Sequence, residues 1–139
     1  MHPVLNTLSL ELKLNGKHKY FYDIDSFLQH IFEWIDISEN VFQGYHSEYL
    51  YPNMFGLYIT KKFSGGVYQV HFSGEKTKSN GSNMFPKDLS PKELIDAILK
   101  NLSDADYLGR YKNIQYKKMI IHVSFTNGKI FRAYPNTNF

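Results

Sequence analysis

The chain has 139 residues, 42% hydrophobic and 21% charged, which suits one domain around a single core and is too short for two ordinary ones. No apolar run nears the roughly 18 residues needed to cross a bilayer, and the absence of Cys excludes disulfides and thiolate metal sites. A net charge of +3 favours an anionic partner only weakly, and the 11 Tyr and 11 Phe are expected mainly in core and sheet.

The opening Met1-His2-Pro3-Val4-Leu5-Asn6 lacks the basic-then-apolar pattern of a secretory leader. Residues 4–22 alternate in part, with Leu8, Leu10, Leu12 and Leu14 ahead of Asn15-Gly16, which predicts an N-terminal strand in a hairpin with 19–22. Ser26 is placed to cap a helix whose Phe27, Leu28, Ile31, Phe32 and Ile35 recur at helical spacing. His30 falls off that stripe and is expected to face solvent or a cleft.

After a polar stretch holding Gln43-Gly44-Tyr45-His46, residues 54–62 alternate, turn at Gly65-Gly66 and return over 67–72 as a hairpin. A loop over 74–83 carries Lys76, Lys78, Ser79, Gly81 and Ser82. Ser90-Pro91-Lys92-Glu93 is a capping box with proline at the first helical position, ahead of Leu94, Ile95, Ile98, Leu99 and Leu102, and predicts a helix over 91–101. Met119, Ile121, Val123 and Phe125 share one strand face, Asn127-Gly128 turns, and 129–135 return. The order strand, helix, hairpin, helix, hairpin describes an α+β fold, with helices packed on a twisted antiparallel sheet.

A two-residue turn at Asn127-Gly128 would pair Thr126 with Lys129 and set His122 opposite Ala133, so that His122 and Tyr134 face opposite sides of the sheet unless a bulge intervenes. His71, in a strand with Val67 and Gln69 on its face, reads as structural.

The chain lacks a Gly-rich phosphate loop, a Gly-x-Ser-x-Gly elbow and a helical His pair at zinc spacing. What it has is histidines, a lysine-bearing loop and many hydroxyls, the material for metal-free cleavage of RNA. One imidazole takes the ribose 2′-hydroxyl proton, a second protonates the departing 5′-oxygen, and a cation stabilises the phosphorane.

His30-Ile31-Phe32 followed by Gly44-Tyr45-His46 resembles the paired-histidine region of the EndoU endoribonucleases. Lys78 and Ser82, ahead of Met84-Phe85-Pro86 and the helix at Pro91, are similar to the family's loop of a catalytic lysine and a nearby serine or threonine. Gly128-Lys129-Ile130-Phe131-Arg132-Ala133-Tyr134-Pro135 is similar to the terminal strand of bacterial EndoU toxin domains, with Arg132 in place of threonine. The ordered resemblance spans 30–135 and leaves 1–25 unmatched.

Length gives a single domain over 1–139, and the resemblance implies for it the nuclease fold shared by barnase-like, EndoU and RelE-type enzymes. It implies cleavage of RNA, uridine-preferring or directed at tRNA, to a 2′,3′-cyclic phosphate without a cofactor. His30 and His46 would share acid and base work, Lys78, or Lys76 in its place, would stabilise the phosphorane, and Ser82, Tyr134 and Arg132 would position base and ribose. The same resemblance implies a bacterial effector, secreted or delivered by contact, that acts in the target-cell cytoplasm, needs no membrane partner and is held in check by an acidic immunity protein. The rival readings are a non-catalytic module for single-stranded RNA and a domain sequestered by another protein.

Overall fold

The computed structural model describes residues 1–33, 44–52, 56–72 and 81–138. The first element is a helix, α1 (Pro3–Leu14), where alternation predicts a strand. Leu5, Leu8 and Leu12 are buried, while Leu10 and Leu14 stand in solvent. The steps of three and four between the buried leucines define a helical stripe, and proline at the first helical position with straight-chain Leu, Glu and Lys behind it favours the same outcome. Asn15-Gly16 ends this helix rather than turning a hairpin, with Gly16 in the left-handed region at φ +81°. Of the expected second strand only a bridge between Phe21 and Ile130 forms, after a 3₁₀ turn over Lys17–Tyr20.

Helix α2 (Ile24–Phe32) is capped by Asp23, whose carboxylate accepts from the Ser26 N–H, so the cap lies three residues earlier than expected. Ile24, Phe27, Leu28, Ile31 and Phe32 are buried, and Ile35 lies outside the described residues. Helix α3 (Pro91–Lys100) starts as its capping signal predicts, with the Ser90 hydroxyl accepting from Glu93 N–H.

The strands form two antiparallel sheets of three. The predicted hairpin of β1 (Leu57–Lys62) and β2 (Tyr68–Phe72) is joined by β3 (Ser82–Met84) in the order β1-β2-β3. The second sheet runs β4 (Tyr111–Tyr116), β5 (Met119–Thr126), β6 (Lys129–Pro135). β3 and β4 do not show in the sequence pattern: β3 is three residues long, and in β4 only Ile114 is buried. The three helices share one core with the inner face of the second sheet, through Leu5, Phe27, Ile31, Ile95 and Ile98 against Ile121, Val123, Ile130 and Ala133. Such residues contribute about 1.5–3 kcal/mol each when fully buried. Tyr45, Tyr68, Val70 and Met84 make a smaller core beneath the first sheet.

The turn at Asn127-Gly128 pairs Thr126 with Lys129 as expected, but the register shifts after Phe125 pairs with Ile130, and Ser124 then pairs with Arg132. Phe131 is the extra residue of a β-bulge. Its consequence is that His122 pairs with Tyr134 and both face outward. The two sheets meet where β3 approaches β6, the Asn83 amide donating to the Pro135 carbonyl at 3.3 Å and to Thr137 Oγ1 at 3.4 Å. Among the described residues no helix is long and apolar enough to cross a membrane.

Candidate active site

The last turn of α2 presents His30, and a strap over 44–48 crosses that end of the helix. The last carbonyls of a helix have no partner within it; here the strap supplies them, Tyr45 N–H donating to His30 O and His46 N–H to Ile31 O. Gly44 makes the crossing feasible. It sits at φ +107°, and a Cβ there would lie 2.3 Å from His30 O and 2.9 Å from the His30 ring. Tyr45 follows at φ +62°, an uncommon conformation for a large side chain, and its fully buried ring holds it there.

Behind the strap, burial and then the nearby Glu48 push the Tyr45 phenol pKa well up. The Tyr68 phenol is raised by burial and by donating to Glu48 Oε1 at 2.6 Å. Both tyrosines therefore stay neutral, and Tyr68 holds the strap through Glu48.

His46 ends this path half-buried, its Nδ1 2.8 Å from Asn83 O. A carbonyl can only accept, so Nδ1 carries a proton, which fixes the His46 tautomer. The His46 ring lies 5.9 Å from that of His30 and 5.8 Å from that of Tyr134, centroid to centroid. The two imidazoles expected to work together thus converge, with Tyr134 beside them.

Ser82 sits differently from its expected place against base or ribose. It is fully buried, its hydroxyl donating to Tyr45 O at 2.9 Å and lying 3.3 Å from His46 Nδ1. That position is behind the imidazole rather than in front of it. Arg132 shares the outward face with Tyr134, but its guanidinium folds over the Phe131 ring at 4.0 Å and donates to Phe131 O. Burial lowers the Arg132 pKa and the neighbouring Asp23 opposes that shift. Lys78 and its alternative Lys76 lie outside the described residues. His71, read as structural, packs against Gly81 and stacks on Tyr58 at 6.1 Å.

The bulge at Phe131 adds two rings that sequence periodicity sets apart. His122 lies 4.8 Å from Tyr134, and Tyr111 lies 5.0 Å from His122. The signal was present in the burial spacing: Ile130 and Ala133 both face the core, an odd separation that strict alternation forbids. Among the described residues no three His, Asp or Glu side chains gather as a metal site.

Burial holds the His122 pKa below the ordinary imidazole value. The unfolded chain therefore takes up this proton first, so the stability from neutral His122 is complete above about pH 6.5 and is lost as pH falls toward the folded value. His122→Asn, which keeps a donor toward Asn113, is expected to lessen the fall in Tm between about pH 7.5 and pH 5.5. A Tm-against-pH slope equal to that of the parent chain would contradict this.

No protein-family model matches the chain, and no curated protein matches it in sequence. A solved structure shares its fold. It is endoribonuclease Nsp15 encoded by Middle East Respiratory Syndrome Coronavirus, similar over 98% of this chain with a TM-score of 0.53 at 12% identity. The chain spans 41% of the length of that protein. The likeness shows an α+β fold, here spread over two three-stranded sheets.

Proposed function

We propose that this chain is an EndoU-type endoribonuclease that cleaves RNA by transesterification to a 2′,3′-cyclic phosphate. The observation that carries the reading is the approach of His30 and His46 to 5.9 Å beside Tyr134, in a fold similar to that of an endoribonuclease. One imidazole removes the 2′-hydroxyl proton, O2′ attacks phosphorus, the P–O5′ bond breaks, and the other imidazole delivers a proton to O5′. The Asn83 carbonyl fixes the tautomer of His46 and so directs Nε2 to this work.

Tyr134 offers its ring to the base or ribose of the nucleotide being cut. Lys78, or Lys76, stabilises the phosphorane in this scheme by family resemblance alone. Ser82 is assigned to holding His46 through the strap, since its hydroxyl is occupied by Tyr45 O. Resemblance to bacterial toxin domains also supports a delivered effector of one domain, acting on RNA in a target cell and restrained by an acidic partner.

The test is incubation with a uridine-containing single-stranded oligoribonucleotide in EDTA, with sequencing of the product ends. Cyclic phosphate and 5′-hydroxyl ends are expected. Binding without product would leave an RNA-binding module, and neither binding nor product would remove RNA from the reading.

A further inference from the structure

The outward face of the second sheet reads as a grid. Tyr111, Ser124 and Arg132 lie across one row, and Asn113, His122 and Tyr134 across the next. Tyr111 and Tyr134 are 59% and 36% exposed, while the opposite face of the same strands forms the core. Rings run straight across this face from Tyr134 to His122 and then diagonally to Tyr111, with planes inclined by 30° and 26°. The same path continues through His46 to His30.

Cross-strand aromatic pairs alone are common and stabilise sheets. What sets this one apart is the polar chain that orients its imidazole. The Asn138 backbone N–H, which can only donate, meets Asn136 Oδ1 at 3.0 Å. Asn136 Nδ2 therefore donates to Asn113 Oδ1 at 3.2 Å, and that oxygen, 3.1 Å from His122 Nδ1, takes its proton as well. His122 is left with Nδ1–H directed inward and Nε2 as an acceptor, while burial keeps the ring neutral. A ring held flat between two phenols with its acceptor edge specified suits a flat ligand that stacks and carries an N–H or hydroxyl donor.

We propose that Tyr111 and His122 form a second nucleotide subsite, which takes the base next to the one held at Tyr134 in a single-stranded RNA. The inference rests on the reading of His30 and His46 as an RNA-cleaving pair, and extends the bound strand one nucleotide along the sheet. Tyr111 supplies a sequence-tolerant stacking platform, and His122 Nε2 accepts a hydrogen bond from a base N–H or a 2′-hydroxyl. Arg110 beside Tyr111, Lys129 at the hairpin turn and Arg132 on the face make that end of the sheet cationic, which suits the anionic strand.

The experiment compares Tyr111→Ala with the parent chain on uridine 3′-methyl phosphate, which has no neighbouring base, on a hexanucleotide with a single uridine, and on the same hexanucleotide with 2′-deoxyuridine at the cut. Tyr111 is exposed, and an unchanged Tm will confirm that the variant folds. Loss of the platform is expected to lower kcat/KM on the hexanucleotide by about tenfold and to raise Kd for the uncleavable one equally, with the methyl ester unaffected. An abasic site beside the uridine should give the parent chain the same deficit and add nothing to the variant's.

An unchanged hexanucleotide rate, or an equal loss on the methyl ester, overturns the subsite and leaves the cleavage reading intact. If the parent chain cuts nothing, the cleavage reading fails, and Kd for the uncleavable hexanucleotide still decides the subsite. If it neither cuts nor binds, both fall.

Discussion

Replacing His46 with Asn or Ala is expected to lower kcat/KM on a single-stranded oligoribonucleotide by about 10²- to 10⁴-fold, the usual contribution of a positioned acid or base. Asn is the sharper variant. Its side-chain amide can still donate to the Asn83 carbonyl, so the strap keeps its anchor while the group that carries protons is gone. His46 is only half-buried and the variant should melt near the parent temperature. His30→Ala should cost a similar factor, and the double variant little more than either single one, because removing one partner of a concerted pair already forfeits the step. The pH dependence of kcat/KM should show two limbs in the parent chain and lose one limb in each single variant. Undiminished cleavage by His46→Asn would take that imidazole out of the mechanism.

Those parts of the fold governed by neighbours in sequence were legible without coordinates. Ser90-Pro91-Lys92-Glu93 starts α3 because the serine cap and the proline act within one turn. Gly65-Gly66 and Asn127-Gly128 turn their hairpins because the residues themselves supply the positive φ that the turns need. Where two periodicities coexisted the choice could not be made locally. Leu8, Leu10, Leu12 and Leu14 alternate, yet Leu5, Leu8 and Leu12 also make a helical stripe, and docking on α2 and α3 selects the stripe. Strand β4 escaped notice because its pairing with β5, not its own pattern, makes it a strand.

The site divides the same way. His30 and His46 are singled out by resemblance in local motifs, whereas the place of Ser82 depends on β3, which only the folded first sheet reveals. Tyr134 was set apart from His122 by a single extra residue in β6, which reverses the facing of every residue beyond it, and Tyr111 was hidden with the rest of β4.

Gly44→Ala is expected to cost both stability and cleavage. The substitution places a Cβ at φ +107° and 2.3 Å from the carbonyl of His30, a backbone atom that cannot swing aside without unwinding the last turn of α2. A cost of about 2–4 kcal/mol follows from strain and clash together, or a fall of roughly 10 °C in Tm for a chain of this size. The strap can relieve the clash only by lifting from α2, which breaks the bonds from Tyr45 N–H and His46 N–H and separates the two imidazoles. Cleavage should therefore fall as far as in His46→Asn even at temperatures where the variant is fully folded. Gly16→Ala provides the control, since that glycine also has positive φ, at +81°, but nothing lies within 4 Å of its Cβ position. It should cost only about 1 kcal/mol and leave activity unchanged. If Gly44→Ala matched Gly16→Ala in both melting and activity, the strap would not be what brings the two histidines together.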